Sequence, residues 1–143
     1  EEANDPNDFI EWAVANGRLT LRPQDLHKIY RREVTTALRQ VLRVNDEATT
    51  YRAKQCVAIS ENGAQRTLWF DIDKGGTPQL RQKAARQKRD AIVNDVYRAK
   101  SDIDHMNFAY PKEEQIPFDL DFTEDFEERK ALELIEREAK EAG

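Results

Sequence analysis

The chain predicts an α+β fold: helices, one antiparallel β-hairpin, a long third helix, and an acidic C-terminal arm with a terminal helix. Three observations carry that expectation. Apolar residues recur at three- and four-residue spacing in two long stretches, the period of an amphipathic helix. Between those stretches, two runs alternate in period two around Asn62-Gly63, a dipeptide suited to a tight hairpin turn. Charge is also partitioned: residues 74–100 carry a net +6 and residues 101–143 a net −9, within a total of only −5.

The first element follows from Asp5-Pro6-Asn7-Asp8, a helix start with proline tolerated in the first turn. Phe9, Ile10, Trp12 and Ala13 follow, and Gly17 supplies a stop, so a short helix is expected to dock by Phe9 and Trp12. A second helix is expected from Pro23 to about Val44, with Leu26, Ile29, Tyr30, Val34, Ala37, Leu38, Val41 and Leu42 forming its stripe. Lys28, Arg31, Arg32, Arg39 and Arg43 lie on its other faces.

Asn45-Asp46-Glu47 breaks the helical pattern, and the hairpin runs Tyr51 to Ile59 and Arg66 to Ile72. One face gathers Val57, Ile59, Leu68, Phe70 and Ile72, and the other presents Arg52, Lys54, Thr67, Trp69 and Asp71. A lone hairpin is marginal in water, so this one must lie on the helices or pair with a second copy in a homodimer.

Lys74-Gly75-Gly76 reads as a loop, and Thr77-Pro78 as an N-cap with proline at the first helical position. The third helix is expected from 78 to about 107, with Ile92, Val96, Ala99, Ile103 and Met106 in a stripe. Projected back at about 100° per residue, that side meets Arg81, Lys88 and Arg89. The first turns are therefore expected to be polar all round and to project beyond the core. Pro111 and Pro117 bracket an extended acidic piece, and Thr123 is the expected cap of a last helix from 124 to about 141. The division expected is a helix/hairpin/helix domain over 1–110 and an acidic arm with its helix over 111–143.

Composition bounds the function. At 143 residues, 38% hydrophobic against 36% charged, the chain builds one modest core with part of its length outside it. A single cysteine, Cys56, excludes an internal disulfide framework and reads as a reducing, cytoplasmic setting. No apolar run approaches the ~18–20 residues of a membrane span, and no signal-peptide pattern is present. The chain opens on Glu1 rather than Met, which leaves room for a fragment with sequence upstream.

The most informative feature is a crowd of cations, Arg81, Lys83, Arg86, Lys88 and Arg89, just after the expected start of the third helix. Helix N-termini carry partial positive charge and favour anions, so like charge there suggests an acidic partner. Two partners fit: nucleic-acid phosphate, DNA or RNA, or the chain's own acidic arm. On the first reading those cations contact phosphates, helped by Lys28, Arg31 and Arg32 or by hairpin residues Arg52, Lys54 and Arg66. Trp69 is then placed to stack on a base, or else to cover the junction with the third helix. The plainer reading is a solvated charged face. No RNP sequence, zinc finger or helix-turn-helix is present, so only backbone attraction is arguable.

A second pattern lies in the arm. Gln115, Ile116, Phe118 and Leu120 place a Gln first, an aliphatic second, a large apolar residue fourth and an apolar residue sixth. This segment resembles the short peptide by which bacterial replication and repair proteins dock on the DNA sliding clamp, with Phe118 where Leu is more usual. The resemblance implies a protein-docking role for Gln115, Ile116, Phe118, Leu120 and Phe122, and a bacterial setting. The alternation of Phe118, Leu120 and Phe122 with Asp119 and Asp121 equally fits residues tying the arm to the core, or an added edge strand.

Chemistry-bearing clusters are sparse. Asp71 and Asp73 share a strand face and are able to chelate a divalent cation, whereas Asp102 and Asp104 point apart on a helix. Neither pair has further ligands in view, and His27 and His105 are too few for a histidine site. Cys56 has no activating partner, Ser60 and Ser101 lack a nucleophile elbow, and Gly75-Gly76-Thr77 lacks the ending of a phosphate loop. No catalytic residue, cofactor or metal is assigned. The expectation is a non-enzymatic, regulatory binding protein in DNA transactions, without a membrane role, whose arm autoinhibits or docks on a protein. The alternative is an acidic interaction module, such as an inhibitor or antitoxin, that binds a basic partner or mimics nucleic acid. A metal-dependent nuclease using Asp71 and Asp73 is a third reading.

Overall fold

The computed structural model describes residues 5–143. They fall into two units that divide after Val41, within a mixed α+β architecture.

The first unit holds α1 (Pro6–Ala15) and α2 (Pro23–Gln40). The Asp5 carboxylate accepts the Asn7 backbone N–H at 2.9 Å, which caps α1 as the sequence predicts. Gly17, at φ +66°, turns the chain so that Arg18 and Leu19 return their N–H groups to the Ala13 carbonyl. Ala13 is buried, whereas Phe9 and Trp12 are 68% and 53% exposed and stack on each other with centroids 5.9 Å apart. At the start of α2, the Asp25 carboxylate accepts the Arg22 backbone N–H at 3.1 Å and pairs with its guanidinium at 3.0 Å. The predicted stripe of α2 is present, with Leu26, Ile29, Tyr30 and Val34 all exposed.

Helix α2 ends at Gln40, not near Val44. Leu42–Val44 forms β1, antiparallel to β2 (Thr50–Arg52), with Leu42 opposite Arg52 and Val44 opposite Thr50. The Asn45 side chain accepts the N–H groups of Glu47 and Thr49, both at 3.0 Å, and Ala48 takes a left-handed backbone. That local turn, beside the β-branched Val41 and Val44, outcompetes helical propagation.

Strands β3 (Lys54–Glu61) and β4 (Ala64–Asp71) form the predicted hairpin, closed by Asn62 at φ +50° and Gly63 at φ +77°. The register sets Val57 opposite Leu68 and Gln55 opposite Phe70 on one face. Cys56 and Trp69 face each other on the opposite side. Val57 is 1% exposed, the best-buried large side chain among the described residues.

The loop to α3 (Pro78–Ala109) turns over Phe70. A Cβ on Gly76, at φ +78°, would lie 3.0 Å from that ring, so both backbone and space call for glycine. Thr77 caps α3, its hydroxyl accepting the Leu80 N–H at 3.2 Å. The expectation that the first turns of α3 project beyond the core is overturned. Leu80 and Gln87 are half-buried and Ala84 is 5% exposed, and this half packs on β3. The Gln87 amide clasps Ala58, accepting its N–H at 2.8 Å and donating to its carbonyl at 2.9 Å. In the second half Val93, Tyr97 and Met106 are exposed, whereas Val96, Ala99 and Ile103 of the expected stripe are half-buried. The interface is built from small side chains and an amide, which an apolar projection does not register.

The arm is tied back by one amide. Asn107 accepts the Ile116 N–H at 2.8 Å and donates to the Ile116 carbonyl at 3.0 Å. No strand forms over 115–122. Helix α4 (Thr123–Glu141) begins one residue earlier than predicted, and Thr123 is not its cap: Asp121 accepts both the N–H and the hydroxyl of Thr123. Arg137 of α4 donates to the Ala48 carbonyl and to the Thr50 hydroxyl at 2.9 Å, joining α4 to the β1–β2 hairpin. Among the described residues, no helix is long and apolar enough to cross a membrane.

Candidate nucleic-acid interface

An open cleft of about 500 Å³ lies between the hairpins and the first half of α3. It exists because α3 presents Ala84 and Ala85 where it passes the strands, and methyl groups leave space that longer side chains would fill. The strand side contributes Tyr51, Phe70 and Ile72, and α3 adds Ile92, giving the cleft an apolar lining. Arg52, Arg81, Lys88 and Arg89 line it as well, together with Gln55. Positions 81, 85, 88, 89 and 92 share one side of the helix by their three- and four-residue spacing.

Among the described residues, these cations meet no carboxylate. Arg81 donates to the Gly76 carbonyl at 3.0 Å, and the Lys88 ammonium to Gln55 Oε1 at 2.5 Å. Gln55 in turn donates to the Arg52 carbonyl at 2.8 Å, which fixes its amide. Both charged groups are thus oriented by neutral oxygens that leave their charge uncompensated. Among the described residues, Arg52, Arg81, Lys88 and Arg89 make no ion pair. The carboxylates of the arm and of α4 do not reach them.

The structure therefore gathers four of the nine residues assigned to nucleic acid from sequence, Arg52, Arg81, Lys88 and Arg89. Lys83 and Arg86 are exposed on α3 but do not line the cleft. Lys54 is committed to Asp71 at 3.0 Å, and Arg66 to Glu61 at 2.9 Å. Trp69 is half-buried on the hairpin face opposite the one bearing Gln55 and Phe70 and does not line the cleft.

Beside the cleft lies an ion-pair network that sequence reasoning missed, because it runs through Arg43 of the unexpected strand β1. Arg43 grips Asp71 with both terminal nitrogens, at 2.6 and 2.7 Å, and reaches Asp73 at 2.6 Å. Tyr51 donates its hydroxyl to Asp73 at 2.9 Å, which holds the ring at the cleft. The Arg43 and Lys54 hydrogen bonds hold the Asp71 carboxyl well below the usual carboxylate range, and Asp71 holds the Arg43 guanidinium above its own. The hydrogen bond to Asp73 pushes the Tyr51 hydroxyl up. Asp71 and Asp73, the pair suited to a divalent cation, thus flank an arginine. Among the described residues, no three His, Cys, Asp or Glu side chains are arranged to hold a metal ion.

In the arm, Ile116, Leu120 and Phe122 are about half exposed, and Gln115 is exposed. Phe118 is half-buried and meets Phe122 edge-on at 6.5 Å. The docking residues thus sit on an extended segment pinned at Ile116.

Comparison with known proteins supplies no relative: the chain matches no family model, no curated protein and no solved structure.

Proposed function

We propose that the protein is a non-enzymatic nucleic-acid-binding factor, with the cleft face of α3 as its contact surface. The observation that carries this reading is the set of four cleft cations, Arg52, Arg81, Lys88 and Arg89, without an anionic partner among the described residues. Like charges held together by packing and by neutral hydrogen bonds repel one another, and a polyanion relieves that repulsion while releasing its own counterions. The arm is read as a protein-docking element rather than an autoinhibitor, because its carboxylates make no ion pair with those cations. Its clamp-like residues Gln115, Ile116, Phe118 and Leu120 support a role beside DNA transactions in a bacterial cytoplasm.

The reading is tested by binding of short labelled oligonucleotides across a salt series. With four phosphates neutralised, log affinity is expected to fall against log salt with a slope of about −3. Arg81→Glu together with Arg89→Glu is expected to abolish most of that dependence. A chain truncated after Tyr110 is expected to bind as the full chain does. If no oligonucleotide binds even at low salt, the cleft is not a nucleic-acid surface.

The acidic interaction module stands as a second reading, favoured by the carboxylates of α4 outside the Glu133–Arg137 pair, which make no ion pair among the described residues. In that case a basic protein, not an oligonucleotide, is captured, and binding is lost on truncation after Tyr110.

A further inference from the structure

We propose that the cleft takes an unpaired nucleobase, so that the ligand of this surface is a single strand and not a duplex. The inference rests on the nucleic-acid reading above and deepens it. A duplex backbone needs only cations, and an apolar molecule needs only the concavity. This site combines the two: the apolar side chains of Phe70, Ile72, Ala85 and Ile92 lie among Arg52, Arg81, Lys88 and Arg89. A volume of about 500 Å³ falls in the range of sites that enclose a small planar ligand. The ligand that fits carries a flat apolar ring beside a charged backbone.

The layout of charge favours a strand over a lone headgroup. Arg81 and Arg89 are eight residues apart on α3, about 12 Å along its axis, so the cations form a track rather than a knot. Tyr51 and Phe70 supply aromatic rings to the lining, and their orientation is set before any ligand arrives. The Tyr51 hydroxyl is held by Asp73, and the Phe70 ring lies beneath Gly76. Stacking on rings fixed in advance is tolerant of base identity and requires a base released from its pair.

The test compares four probes at low salt with the full chain: a single strand, the matching duplex, a single strand of equal length whose central residues are abasic, and anionic lipid vesicles. The ordinary single strand is expected to bind about tenfold or more tightly than either the duplex or the abasic strand. Ala85→Phe, a change at an exposed position that fills the cleft, is expected to erase that preference while leaving the salt slope unaltered. Equal affinity for ordinary and abasic strands, or an unaltered preference in Ala85→Phe, overturns this inference and leaves the nucleic-acid reading standing. Binding to no strand at all, or to vesicles alone, overturns both.

Discussion

Asp71 concentrates more interactions than any other residue near the cleft. It accepts from Arg43, from Lys54, and from the backbone N–H groups of Asp73 and Lys74. Its pKa is depressed chiefly by the Arg43 and Lys54 side chains and further by the Asp73 N–H, so the unfolded chain binds a proton more readily than the folded one. The stability it contributes is therefore complete above the ordinary carboxylate range, near pH 4, and is lost as pH falls below it. Asp71→Asn is expected to lower the denaturation midpoint at neutral pH and to flatten its decline below about pH 4, as followed by urea titration at several pH values. An acid limb identical to the parent's would show that the network contributes nothing net. Asp71 is legible in the sequence as a strand-end acid able to share a cation with Asp73, but not as an ion-pair partner of Arg43, which the helical pattern places on α2. The cations were legible as a crowd, but composition along a chain does not say which of them turn toward the same space. Lys54 and Arg66 were lost to acids that the hairpin register brings alongside.

The hairpin and the capped start of α3 were readable from local chemistry, Asn62-Gly63 and Thr77-Pro78, since both are decided within a few residues. The junction near Val41 was not. There the helical stripe of α2 runs on into Leu42, and the Asn45 turn with the pairing of β1 and β2 that it sets up ends it. Nor was the packed half of α3 legible, because its anchors are Ala84 and Gln87 rather than bulky apolar residues. Gln87→Leu keeps the approximate volume but leaves the Ala58 N–H and carbonyl without their partner. It is expected to destabilise the protein by about 1–3 kcal/mol, read as a shift in urea midpoint at unchanged slope. Gln87→Glu preserves acceptance from the N–H but turns a carboxylate toward the Ala58 carbonyl, and it is expected to be at least as damaging.

Taken whole, the chain hides little apolar surface. Its accessible area is 12901 Å², while even two separate compact bodies of this total mass would show only about 9,000 Å². Only Ala13, Ala53, Val57 and Ala84 are buried apolar residues among those described. Unfolding the isolated protein is therefore expected to show a heat-capacity change well below the ~2 kcal/mol/K usual for this length, measured by calorimetry. A value at or above the usual one would mean that the exposed faces of α2 and α4 are covered in solution. The Gln87 clasp has a consequence for any such covering. It occupies the outward-facing main chain of β3 at Ala58, so a visiting strand finds that flank taken and must join along β4. Sheet growth restricted to one flank ends when two like flanks meet, which favours a closed pair over a fibre.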